Sequence, residues 1–465
     1  MIAASDSRPE AVPGAVRVGV AQAVMRARQL LEGGDLEGAE TIGRTILTQR
    51  AGHIDASQIL AAVAEKRGDL TAAIQFLRAA LSGGGGDATL QMNLCRTLRQ
   101  AGDLDQAREA GEAAVAIGTI PEALVDLADV YALLGQNERA RELFERAIAL
   151  LPDLARAHLG LSHTLLMKGD FAPGWAEYEW RYRLPKTQDL LPKFKQPQWN
   201  GMTLSASRLF VLCEQGYGDC FQFARYLPIA AARVRDLIVG VSAELKPIIE
   251  RVRGPSAFYD RWETLPPFEF QITLSSLPHA LGTTLETIPA KIPYLDADPA
   301  KVAIWRARLA EKAGGRATVG LVWHGRILNA SRCVPLGALT PIVEMDNILA
   351  VSLQVGAGSE QLAQYPLRPR VFDAAPLLGD FGETAALMTA LDHVVSIDTS
   401  AAHLAGALGR PAHVVLPRVA EWRWLERGSD SPWYPTLQLV RQTKDGDWTS
   451  VIARVAADLE RHSHT

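Results

Sequence analysis

The chain has 465 residues, 48% hydrophobic and 22% charged, the balance of an ordinary globular protein with room for roughly two to four domains. Its net charge of −4 gives no basic surplus for nucleic acid or an anionic membrane, and no apolar run approaches the roughly 20 residues that span a bilayer. Cys95, Cys213, Cys220 and Cys333 are scattered without metal-ligand spacing and read as free thiols of a reducing compartment.

Residues 1–18 read as a flexible N-terminus without the charge and apolar pattern of a signal peptide, so a cytoplasmic location is expected. Residues 19–183 carry an internal ruler. Gly34, Gly68, Gly102, Gly135 and Gly169 are separated by 34, 34, 33 and 34 residues. Five positions after each glycine stands Ala39, Ala73, Ala107, Ala140 or Gly174, and seven further on Ile46, Ala80, Ala114 or Ala147. Small residues at fixed offsets let paired helices approach, and glycine supplies a left-handed turn between them. Such a period predicts a helix-pair solenoid with a concave groove for a protein partner. The aromatic stretch Trp175 to Tyr182 is expected to close its end by packing.

Residues 184–204, rich in Pro, Lys and Gln, read as a linker. Beyond them apolar β-branched runs alternate with helical patterns, which implies parallel sheets. Strands are predicted at 208–213, 236–241 and more weakly 271–274, then at 317–323, 348–353, 394–397 and 412–416. Pro289 to Pro293 reads as a hinge between two such units, 205–300 and 301–465. Open α/β sheets bind ligands beyond the carboxyl ends of their strands. Two polar turns lie in such positions: Glu214-Gln215-Gly216-Tyr217-Gly218-Asp219 and Asp398-Thr399-Ser400. They are expected to face one cleft. Asp398, Thr399 and Ser400 are good N-caps, and so is Asp219. The competing reading of the second turn is an anion site made by free N–H groups at a helix start. His403, close to that start, is expected neutral. Gln222 and Arg225, three residues apart, share a helix face and are expected to line this cleft with Gln215; the competing reading of Arg225 is a surface or inter-domain ion pair. His324 and Arg326 follow a predicted strand at the same cleft and are expected to neutralise a phosphate there. Trp422, Trp424, Trp433 and Tyr434 read as core or domain-interface residues.

The 34-residue period resembles the tetratricopeptide repeat. Glu214 to Asp219 with Phe223-Ala224-Arg225-Tyr226-Leu227-Pro228, and Ser396 to Pro411, resemble heptosyltransferase-like glycosyltransferases. The tail, with Glu421-Trp422-Arg423-Trp424, Ser431 to Pro435 and Gly446-Asp447-Trp448, resembles the subgroup that carries N-terminal tetratricopeptide repeats. This resemblance covers nearly the whole chain. It implies a solenoid followed by two Rossmann-like domains of glycosyltransferase-B type, with a nucleotide sugar as co-substrate on the C-terminal half and neither a metal nor another cofactor.

By the same resemblance Asp219 is the general base, Gly216 and Gly218 let the backbone approach the substrate, and Asp398, Thr399, Ser400 and His403 hold the donor. The implied activity is protein O-glycosylation of Ser or Thr, with flagellin as acceptor and a nonulosonic acid such as pseudaminic acid as sugar. One departure stands out. Members of the group tend to show Trp-Ser-Gly-Asn where this chain has Trp323-His324-Gly325-Arg326, which bears on donor choice. That departure is also the sequence support for a rival reading, a non-catalytic adaptor with a degenerate transferase domain. A lipopolysaccharide sugar transferase is a second rival, against which the long repeat region argues.

Overall fold

A computed structural model describes residues 19–82, 87–188, 194–261, 264–325 and 331–462. The chain divides into two compact units, one ending at Ala157 and one beginning at His158.

In the first unit antiparallel helices follow in pairs: Val20–Glu32 with Leu36–Gln49, Ile54–Lys66 with Leu70–Ser82, Ala88–Ala101 with Leu104–Ile117, and Pro121–Leu133 with Asn137–Leu150. The sequence ruler explains the pairing. Gly34, Gly68, Gly102 and Gly135 all have φ between 76° and 84°, a conformation that costs a residue with a Cβ. After the first three, the next residue caps the following helix: Asp35 accepts from Gly38 N–H at 2.9 Å, Asp69 from Ala72 at 2.9 Å and Asp103 from Gln106 at 3.2 Å. Ala39, Ala73, Ala107 and Ala140 are fully buried where the helices cross.

The second unit begins inside helix Ala155–Lys168 and so takes most of the fifth pair, completed by helix Phe171–Tyr178. The expected boundary at residue 183 is therefore displaced. The reason is aromatic packing: Phe171 stacks on Trp433, and Trp175 meets Phe223, Trp422 and Trp433 edge-on. The supposed linker also carries structure. Trp199 is buried and its N–H bonds Gln271 O at 2.8 Å.

Among the described residues the unit holds two wholly parallel sheets. The first contains β1 (Leu204–Leu212), β2 (Val234–Gly240), β3 (Ala257–Tyr259) and β4 (Phe270–Thr273), in the order β3-β2-β1-β4. The second contains β5 (Ala317–Val322), β6 (Ile348–Ser352), β7 (Val371–Asp373), β8 (His393–Ile397), β9 (Ala412–Leu416) and β10 (Leu437–Arg441), in the order β10-β9-β8-β5-β6-β7. All seven predicted strands are present, whereas β3, β7 and β10 were not foreseen. One core runs from the fifth helix pair through both sheets, and a second lies between the six-stranded sheet and helix Trp448–His462.

Each strand order reverses direction once. The first sheet grows from β1 to β2 and β3, then crosses to β4 on the other side. The second grows from β5 to β6 and β7, then crosses to β8, β9 and β10. A crevice opens at the carboxyl end of the strands where the order reverses. The turns that leave β1, β5 and β8 are Glu214 to Asp219, Trp323 onward, and Asp398 to Ser400.

Candidate functional site

The two switch-point turns meet. Helix Tyr217–Phe223 follows β1, helix Ser400–Ala407 follows β8, and the two pack directly on each other. Gly218 makes this possible, since a Cβ there would stand 2.9 Å from His403 Cδ2 and 3.5 Å from Ser400 Cα. Gly218 thus admits a neighbouring helix rather than a substrate. Gly216 is the N-cap of its helix, where Asp219 Oδ2 accepts its N–H at 3.0 Å. Gln215, just before it, holds φ at 69° although it is not glycine, a conformation worth about 1–3 kcal/mol of strain that clusters at functional turns.

Asp219 is therefore a cap, but its other oxygen is engaged elsewhere. Asp219 Oδ1 accepts from Arg423 Nη2, Glu421 accepts from Arg423 Nη1, and Gln222 Oε1 accepts from Arg423 Nε at 2.7 Å. This guanidinium is buried and also lies over the Trp422 ring, 4.2 Å from its centroid. Burial alone would lower the Arg423 pKa, but Asp219 and Glu421 outweigh it and hold the group charged. Burial likewise pushes Glu421 up, and Arg423 pulls it further down, to below the usual carboxylate range. A carboxylate offers about four lone-pair sites, so the two bonds to Asp219 leave it able to accept another.

A cavity of about 290 Å³ opens beside this cluster. Gln215, Asp219, Glu421, Trp422 and Arg423 form one wall, and Leu159, His163, Tyr178, Arg181, Leu184 and Thr187 of the fifth helix pair and its continuation form the other.

The second turn is arranged differently from expectation. Asp398 is only 8% exposed, and Arg332 Nη1 lies 3.0 Å from its Oδ2. Burial pushes the Asp398 carboxyl up and Arg332 opposes that shift. Asp398 thus stands behind a cation instead of reaching out itself. Thr399 occupies the N-cap of helix Ser400–Ala407 without a side-chain capping bond; its hydroxyl lies 3.4 Å from that of Ser396. The capping reading of this turn therefore fails, and the first N–H groups of the helix are left open. His403 is buried, with Nδ1 2.9 Å from the Tyr434 hydroxyl and its ring stacked on Trp424 at 5.1 Å. Burial, with help from Arg423, Arg225 and Arg332, holds its pKa well below the imidazole value. The neutral form expected from the helix start thus arises mainly from desolvation.

Gln222 and Arg225 do not line the cleft. Gln222 is fully buried. Arg225 Nη1 donates to Trp433 O at 2.8 Å, its Nη2 to the Tyr294 hydroxyl at 3.0 Å, and its guanidinium lies over the Tyr434 ring. It fastens the two halves together near the predicted hinge. His324 lies beyond β5, where Gln354 Oε1 accepts the Trp323 and His324 N–H groups at 3.1 and 2.9 Å. Arg326 falls outside the described residues. Arg332, Gln354, Glu421 and Arg181 had drawn no role from the sequence.

Family models for the tetratricopeptide repeat match residues 64–119 and 121–154. The chain carries tetratricopeptide repeats. Repeats of this kind present their groove to protein partners. Protein FlbA of Caulobacter vibrioides is 29% identical over 426 residues, which cover 83% of this chain and 69% of that protein. A glycosyl transferase family 9 structure from Veillonella parvula is similar over 57% of this chain and 99% of its own, at 11% identity and a TM-score of 0.45. The crystal structure of MamA is similar over 36% of this chain and 97% of its own, at 19% identity and a TM-score of 0.32. Among the described residues no helix is long and apolar enough to cross a membrane.

Proposed function

We propose that the chain is a glycosyltransferase that moves a sugar from a nucleotide donor to a Ser or Thr hydroxyl of a protein acceptor bound by its repeats. The observation that carries this reading is the meeting of two switch-point turns, one ending in Asp219 and one with an uncapped helix start at Ser400. The donor phosphate would meet the open N–H groups near Ser400 and Ala401, the Thr399 hydroxyl, and Arg332, whose side chain is 30% exposed. Asp398 would orient Arg332, and His403 would set the distance between the helices. His324 would border the same donor.

In the transfer step the acceptor oxygen attacks the anomeric carbon. The bond from that carbon to the phosphate oxygen breaks, its electron pair leaves with the nucleotide, and the hydroxyl proton passes to Asp219. Arg423 holds Asp219 in place through one carboxylate oxygen. The sequence resemblance supplies the finer reading: flagellin as acceptor, a nonulosonic acid such as pseudaminic acid as sugar, and the cytoplasm as place of action.

The test is the intact mass of flagellin from wild-type cells, a deletion strain, and that strain complemented with Asp219→Asn. We expect a mass loss in the deletion that wild-type protein restores and the variant does not. Equal masses in wild-type and deletion cells would remove flagellin as acceptor.

A further inference from the structure

Glu214, the residue before the left-handed Gln215, is held from several sides. It stands just beyond β1, and its side chain is 7% exposed. The Tyr182 hydroxyl donates to its Oε1 at 2.8 Å, the Ser275 hydroxyl donates to the same oxygen, and the Ser275 N–H donates to Oε2 at 3.5 Å. Arg181 Nη2 stands 3.8 Å from Oε1. Arg181 is fixed in turn, since it donates to Glu179, Ser275 and Ser276 at 2.7–2.8 Å. Three segments therefore meet on one carboxyl: the end of the fifth helix pair, the turn after β1 and the turn after β4. All these partners are donors, as an ionised carboxylate requires.

Stability alone does not account for this cluster. Buried ion pairs can often be exchanged for apolar side chains of similar volume at no loss. The place of Glu214 in the turn points to geometry instead. Gln215 is exposed and is not glycine, yet it holds φ at 69°. A residue with a Cβ, left to itself, would leave that region. The next residue, Gly216, donates its N–H to Asp219 Oδ2 at 3.0 Å. The Asp219 carboxylate is thus tied back to Glu214 through Gln215, Gly216 and that hydrogen bond. Its other oxygen is taken by Arg423. If the turn relaxes at Gln215, the Gly216 N–H swings away and Asp219 loses one of these two tethers.

Resting on the transferase reading above, we infer that Glu214 is a positioning residue of the transfer site: held by Tyr182, Ser275 and Arg181, it keeps Gln215 left-handed and so keeps Asp219 aimed. Tyr182 and Arg181 belong to the segment that closes the fifth helix pair. The end of the repeats therefore sets the geometry of the turn that carries Asp219.

The experiment uses the full chain as wild type, Glu214→Met, Gln215→Gly and the double variant, with Glu214→Gln in place of Glu214→Met should the latter not fold. Glycine adopts the left-handed form without penalty. Gln215→Gly should therefore raise the melting midpoint of the wild-type chain by about 1–2 °C. It should not raise that of the Glu214→Met chain, where the turn has already relaxed. An equal rise in both, the result expected of a merely stabilising Glu214, overturns the assignment. In transfer to flagellin, Glu214→Met should lower kcat about tenfold at unchanged KM for flagellin, the population cost of a left-handed residue with a Cβ. In the chain that already carries Gln215→Gly the same change should lower kcat by about twofold or less. An equal loss in both, or a loss carried by KM, overturns the assignment. Coupled midpoints without any transfer support the anchor and remove the transferase reading. Transfer by the wild-type chain with uncoupled midpoints does the reverse.

Discussion

Arg423 shows how one residue can set the state of a site. Its guanidinium is shared by Asp219, Glu421 and Gln222 inside a buried cluster. Removing one member of a buried ion pair leaves the others uncompensated, at a cost of about 3–5 kcal/mol. Arg423→Met should therefore lower unfolding stability by about that amount, read from the urea midpoint. Glu421→Gln should cost less, because Asp219 remains on the guanidinium. His403 makes a prediction in pH. Folded His403 holds its proton less readily than an unfolded imidazole, whose pKa is 6.5. Its contribution to stability is therefore full above pH 6.5 and is lost as pH falls below that value, by at most about 1.4 kcal/mol per pH unit. His403→Phe should destabilise most at pH 7.5 and progressively less toward pH 5 in thermal melts. A penalty that is constant across this range would contradict the buried, neutral assignment.

At the scale of elements, glycines decide how closely helices approach. Gly218→Ala places a methyl against the His403 ring and Ser400, an overpacking worth about 1–3 kcal/mol before a helix-propensity gain of about 1 kcal/mol. Gly216→Ala meets only the Asp219 carboxylate, at 3.2 Å. The first variant should lower the melting midpoint more than the second. Such local punctuation is what the sequence makes legible. The repeat glycines, the Gly-Asp starts of the helices and the longer β-branched runs all announce themselves within a few residues. The strands β3 and β7, of three residues each, are too short to show alternation, and β10 is an edge strand with one exposed position among buried ones. The turns ending in Asp219 and Ser400 were legible for the same reason, as polar residues that interrupt apolar runs. The pairing of Arg332 with Asp398, the clamp of Gln354 on the His324 turn and the place of Arg181 at the cavity come from contacts between distant segments. No local pattern encodes these. Arg225 misled because its helical spacing is compatible with exposure or burial, and only Tyr294, Trp433 and Tyr434 decide between them.

At the scale of the whole molecule, the second unit needs its fifth helix pair. Phe171, Trp175 and Tyr178 cover Trp422 and Trp433, and a buried aromatic side chain of this kind is worth about 3–5 kcal/mol on truncation to alanine. A fragment beginning at Pro152 should fold, with a cooperative melt and near-ultraviolet dichroism from its tryptophans. One beginning at residue 184 should expose that aromatic surface and aggregate. Two folded fragments of equal stability would show that the pair is dispensable. The central claim concerns chemistry at Asp219, and a reconstituted transfer tests it most directly. Flagellin from a deletion strain would be incubated with the purified chain and the small-molecule fraction of wild-type cells, and its intact mass recorded. The account predicts a mass increment with the wild-type chain and a rate lower by about 10²–10⁴-fold with Asp219→Asn, provided the variant retains its melting midpoint. No increment with the wild-type chain, or an undiminished rate with a folded Asp219→Asn variant, would contradict it.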